Sequence, residues 1–178
     1  MVELSTLQAV REVVTIVGVI AGLTYYFMTV QNENKSRKIQ IGNRMRGVQD
    51  SREMALISLE LLEMQWEDFD DFVRKYDSTV NHDNYSKRNS YFGAMGEFGY
   101  LLKHKLMDLK TVYDVTTGGY AQIQMWNKFK PIFMKQREIY EDPARYIWFE
   151  YLVTELIKER VKRGLPPDIK NVDGYWTQ

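Results

Sequence analysis

Carboxylates are the side chains of this sequence whose type and spacing come closest to a chemical centre. Glu60, Glu63 and Glu67 can share one helical face, and helical bundles build di-iron centres from such groups. Those centres also need Glu-x-x-His pairs on two further helices. The chain has two histidines, His82 and His104, and neither follows a glutamate by three. A solvated acidic face is the simpler reading of this run, which continues through Asp68, Asp70 and Asp71. A hydrolase would need a nucleophile with a base in reach; without a motif, Glu97 and Asp114 are the carboxylates left for that role. There is no cysteine, which removes disulfides, thiolate zinc sites and a cysteine nucleophile, and suits a reducing compartment. Thr117-Gly118-Gly119 lacks the G-x-x-x-x-G-K-[ST] spacing of a phosphate loop and reads as a helix end. The expectation is therefore no catalytic residue, no metal site and no cofactor.

Two further patterns bear on binding. Gly93, Gly96 and Gly99 recur every third residue inside a helical stretch. Each glycine costs about 1 kcal/mol of helix propensity relative to alanine. A close helix crossing would offset that, and so would a groove that admits a ligand to bare backbone. Trp126, Phe129 and Phe133 alternate with Lys128, Lys130 and Lys135. Aromatics at helical spacing read as core, with the lysines snorkelling outward. The chain holds 24 basic and 24 acidic residues, and this neutrality argues against a nucleic-acid partner, which would meet a basic face.

The element that positions everything else is Val13–Val30, VVTIVGVIAGLTYYFMTV, which contains no charge and no proline. At the helical rise it reaches roughly 27 Å, close to the roughly 30 Å hydrocarbon core of a bilayer. A core helix of that length in a soluble domain would carry a polar stripe. Here the hydroxyls are Thr15, Thr24, Thr29 and two tyrosines, and a threonine can bond its own helix backbone. Tyr25, Tyr26 and Phe27 fall where an aromatic belt belongs. A cleaved signal peptide would want an A-x-A site and a basic amino terminus, both missing. A buried helix of a soluble protein is the other rival. Arg11 precedes the stretch, whereas Lys35, Arg37, Lys38, Arg44 and Arg46 follow it against Glu33. That excess places residues 31–178 in the cytoplasm and the amino terminus outside. The same five cations are candidates for the membrane surface, each contributing about 1 kcal/mol toward anionic headgroups. Gly18 and Gly22 form a G-x-x-x-G pair, a candidate oligomerisation face.

The rest of the chain is long enough for one ordinary domain. Residues 31–48 read as a helix continuing from the span and interrupted near Gly42 or Gly47. In 51–77, Leu59, Leu62, Trp66, Phe69, Val73 and Tyr76 mark one helical face, with Asp70–Arg74 and Asp71–Lys75 as i,i+4 pairs. Residues 77–84 read as a loop. A helix follows from Tyr85 to His104, with Phe92, Met95, Gly99, Leu102 and Leu106 as its apolar stripe. Asp108 caps a short helix over Leu109–Thr116. Another runs Tyr120–Tyr140, kinked at Pro131. Asp142-Pro143 signals the start of a last helix to Arg163, with Phe149, Leu152, Val153, Leu156 and Ile157 inward and Gly164 closing it. Tyr175 and Trp176 in the tail are expected to dock onto the domain or a partner.

The succession YYFMTVQNENKSRKIQI, WEDFDDFVRKY, SYFGAMGEFGYLLKHKLMDL, WNKFKPIFMKQRE and DPARYIWFEYLVTEL, over roughly residues 20–160, resembles a family of uncharacterised prokaryotic membrane-anchored helical proteins, a domain of unknown function. The resemblance implies one span and a cytoplasmic helical domain, and it brings no activity or catalytic residue. The expected architecture is all-α: an amino-terminal segment 1–12, a transmembrane helix 13–30, a basic juxtamembrane segment 31–50, a bundle of about five helices over 51–164 and an irregular tail 165–178. The expected role is a non-catalytic, single-pass interaction or accessory subunit of the cell membrane. Its partners would be the lipid bilayer and either further copies of itself or a larger membrane complex. The alternative is a regulatory module that binds a small molecule or lipid near Gly93, Gly96 and Gly99.

Overall fold

A computed structural model describes residues 2–167 and 169, with side chains from residue 7 onward. Tyr175 and Trp176 lie outside the described residues. Among those described there are seven α-helices and no strand: α1 (Val2–Gln49), α2 (Arg52–Glu63), α3 (Phe69–Tyr76), α4 (His82–Lys103), α5 (Leu109–Val115), α6 (Tyr120–Ile139) and α7 (Ile147–Lys162). A 3-10 turn, Thr117–Gly119, joins α5 to α6. The chain divides into two compact units, Met1–Gln40 and Ile41–Gln178.

In the first unit α1 is helical throughout. In the second, the helices surround a core rich in aromatic rings. Phe92 of α4 packs edge-on against Phe129 and Phe133 of α6, with centroids at 5.1 and 4.9 Å, and stacks on Phe149 of α7 at 5.9 Å. Such pairs add about 1 kcal/mol each beyond the area they bury. The most extensive helix contact joins α4 to α7, and Gly99 makes it possible. A Cβ there would lie 1.8 Å from the carbonyl oxygen of Trp148. The inward stripe of α7 is as the spacing indicates, with Phe149, Leu152, Val153 and Leu156 buried. Trp126, Phe129, Ile132 and Phe133 of α6 are also core. Pro131 sits within α6 without ending it.

Several boundaries differ from the sequence reading. The helix that begins in the first unit is not interrupted at Gly42 or Gly47 but continues to Gln49. Met45 is buried and Ile41 packs on the same core, and that packing outweighs two glycine propensities of about 1 kcal/mol each. Ser51 then turns the chain: its hydroxyl donates to the Val48 carbonyl and accepts the Met54 amide, which caps α2.

The stretch 51–77 is two helices rather than one, broken over Met64–Asp68. Asp68 accepts the Asp71 amide at 2.8 Å, and the Asp71 carboxylate accepts the Glu67 amide at 3.1 Å. This reciprocal cap starts α3 afresh. The break rephases the buried face, so Ile57, Leu61, Met64 and Phe72 are core, whereas Leu59 and Val73 are exposed. Arg74 pairs with Asp71 instead of Asp70, and Lys75 pairs with Asp71 at 2.7 Å.

Helix α4 begins at His82, three residues earlier than Tyr85, because Asn81 accepts the Asn84 amide and caps it. Leu106 is exposed rather than part of the α4 stripe. Helix α7 begins at Ile147, not Pro143. Asp142 does accept an amide, that of Ala144, but this closes only a turn. Tyr146 then adopts a left-handed φ of 59°, with its ring 4.2 Å from that of Phe133. At the far end Gly164, at φ 76°, carries the helix end expected of it: its amide bonds the Val161 carbonyl and that of Leu165 bonds Arg160.

Candidate functional site

The first candidate is the apolar part of α1. From Val13 to Met28 every large apolar side chain is between 55% and 74% exposed. An 18-residue window here has a mean hydropathy of 1.9, with none of the window buried. Thr15, Thr24 and Thr29 donate to the carbonyls of Arg11, Ile20 and Tyr25 at 2.8, 2.8 and 2.9 Å. Each hydroxyl is thereby satisfied by the turn behind it. The surface this helix presents is hydrocarbon and aromatic ring, with no unmet threonine donor.

Gly18 and Gly22 lie on that helix with no atom within 4 Å of where a Cβ would stand. Of the five candidate membrane-surface cations, Lys35, Arg37 and Lys38 belong to the first unit and are exposed. Arg44 and Arg46 belong to the second unit. Arg44 lies 3.4 Å from Glu97 in an exposed pair, a contact worth well under about 1 kcal/mol.

The three glycines of α4 have separate surroundings. Gly99 is occupied by the backbone of α7, while a Cβ at Gly93 or Gly96 would meet nothing within 4 Å. Beside Glu97 is a cavity of about 100 Å³ lined by Ile41, Met45, Val48, Phe98 and Leu101 among others. Small-molecule sites run from roughly 300 Å³ upward. Glu60, Glu63 and Glu67 are all exposed, and Glu60 meets Lys87 at 2.6 Å. Among the described residues no group of His, Asp or Glu is arranged to hold a metal ion. Asp114 is exposed, and Glu97 faces Arg44.

Two cations drawn inward, Lys128 and Arg88, serve helix ends, and sequence reasoning missed them, whereas the Asp71–Lys75 pair was read from its spacing. Lys128 of α6 donates to the carbonyls of Leu62 and Met64 at 2.7 and 2.6 Å, and its ammonium sits 5.0 Å over the Trp66 ring. It thereby closes the carboxyl end of α2, instead of snorkelling outward. Burial holds its pKa below the ordinary lysine value. Arg88 of α4 does the same for α3, donating to the Tyr76 carbonyl and, at 2.9 Å, to Asn84. Its guanidinium stands 4.8 Å from the Phe72 ring, and burial lowers its pKa. The Asp71 carboxyl is held below its usual range, first by the hydrogen bond from Lys75, then by the Glu67 amide and Arg74, with burial opposing. The signal for Lys128 was its place between Trp126 and Phe129, both buried, though its partners lie more than sixty residues earlier.

No protein-family model, no curated protein and no solved structure matches the chain.

Proposed function

We propose that the chain is a single-pass membrane protein whose residues 13–30 cross the bilayer, with the helical domain in the cytoplasm. Its role is that of a non-catalytic interaction or accessory subunit. One observation carries the reading: the apolar helix is exposed on all sides while its threonine hydroxyls are satisfied internally. A core helix would be covered. A helix in lipid need not be, provided that every backbone group and hydroxyl is bonded within the segment. The excess of cations after the stretch supports the orientation. The open sides of Gly18 and Gly22 leave room for a second helix to approach closely. The cavity beside Glu97 is well below ligand size, which weighs against the small-molecule alternative at that place.

The test is extraction of the full chain from membranes in mild detergent, followed by mass measurement of the native particle. An assembly larger than the monomer is expected, and Gly18→Ile with Gly22→Ile should reduce it. A particle of monomer mass with no other protein bound would overturn the subunit reading. Because the chain has no cysteine, Gln8→Cys and Ser90→Cys report orientation through an impermeant maleimide. Only the former should react from outside intact cells.

A further inference from the structure

We infer that the end of α4 and the start of α7 form a docking surface for an anionic lipid headgroup layer. Six side chains build it. The ring of Tyr100, 44% exposed, lies 4.2 Å from the His104 imidazole and 5.6 Å edge-on from Trp148. His104 and Trp148 are 5.8 Å apart. The Lys103 ammonium stands 4.9 Å over the Tyr151 ring. Lys103, His104 and Lys105 are consecutive and exposed, and Lys105 turns the chain at a left-handed φ of 57°. The crossing at Gly99 brings the two helices together here: the Trp148 backbone occupies the space a Cβ would need.

The chemistry of the patch decides its occupant. Rings with polar tips sit at the level of lipid headgroups, and lysines beside them are drawn to an anionic leaflet. Two carboxylates of α7 are already paired, Glu150 with Arg137 at 2.8 Å and Glu155 with Lys158 at 2.6 Å. Among the described residues neither Lys103 nor Lys105 is in an ion pair. The surface rests on the proposed anchor in one respect: a tethered domain meets the leaflet at high effective concentration.

The test uses the full chain carrying a single cysteine, His104→Cys, labelled with an environment-sensitive fluorophore. Leu106→Cys is a second label site should the first disturb the fold. The protein is reconstituted in vesicles of phosphatidylcholine alone or with phosphatidylglycerol added, each containing a shallow spin-labelled lipid. Quenching is expected with phosphatidylglycerol and not without it. Lys103→Gln with Lys105→Gln should lower the docked-to-free ratio by about fivefold per lysine. No quenching in the anionic vesicles overturns the surface. So does protection of the label that follows protein concentration and ignores lipid charge, which would mark a protein contact instead. A separate chain labelled at Val17→Cys reads the anchor, through quenching by an acyl-chain spin label in both vesicle types. Failure there counts against the span, whereas failure at His104 alone counts against the patch.

Discussion

In residues 13–28 valine, isoleucine, leucine and phenylalanine face outward, whereas in α4, α6 and α7 most of the same residue types are closed inward, with Ile139, Ile147 and Val161 at helix ends left exposed. Polar groups divide only in part. The threonines of the first region bond the turn behind them, as Thr116 and Thr154 do in the second. Only in the second do Ser51, Asp68, Asn81 and Asp108 bond forward to amides and start helices. Cations divide too: Lys35, Arg37 and Lys38 are exposed, while Lys128 and Arg88 reach inward to helix carbonyls. On the proposed topology, burial follows the solvent a segment would meet. A helix closed on itself suits a medium without hydrogen bonds, and helices that exchange caps suit water outside and hydrocarbon within.

The sharpest way to break the comparison is to charge the outward face. Val17→Asp with Ile20→Asp should abolish retention of the chain by membranes after an alkaline wash, since each acid near the bilayer centre costs about 3 kcal/mol. Helical content and the melting temperature of the domain should be unchanged, because both side chains are exposed. Unchanged retention would remove the contrast between the two regions.

A smaller effect is expected at the α4–α7 crossing. Gly99→Ala places a methyl on the Trp148 carbonyl and should destabilise the domain by about 3 kcal/mol, the upper part of the overpacking range. Gly93→Ala, with open space around it, should raise stability by up to about 1 kcal/mol. Urea melts of the two variants side by side would separate a packing glycine from a tolerated one. Equal shifts would mean that the crossing can relax.

This pair also marks where sequence stops informing. Periodicity is a local property, so it located α4, α5, α6 and the inward face of α7, and the capping chemistry of Asp108 and the turn at Gly118-Gly119 could be read directly. The spacing of Gly93, Gly96 and Gly99 is regular, yet only one of them touches another helix. What distinguishes it is Trp148, on a different element. The late start of α7 has the same origin, since the backbone of Tyr146 turns left-handed where its ring meets Phe133 of α6. Of the candidate surface residues, α1 was legible because apolar length needs no partner to be seen. The Tyr100–Trp148 patch was not, because it exists only once α4 and α7 cross.

The break between α2 and α3 gives the smallest of the expected losses. The apolar spacing from Leu59 to Tyr76 is continuous, and local propensity alone would let one helix run through. Two carbonyls at the end of α2 meet the Lys128 ammonium instead, and Trp66 lies beneath it. Lys128→Met keeps the length and apolar stem of the side chain and removes its donors. The Leu62 and Met64 carbonyls then lose a charged partner in a half-buried place, which should cost about 2 kcal/mol. The urea midpoint should fall while the slope holds, because the surface exposed on unfolding is nearly the same. If the midpoint holds, the reciprocal cap of Asp68 and Asp71 is sufficient to set the break. In that case Lys128 follows the bend rather than making it.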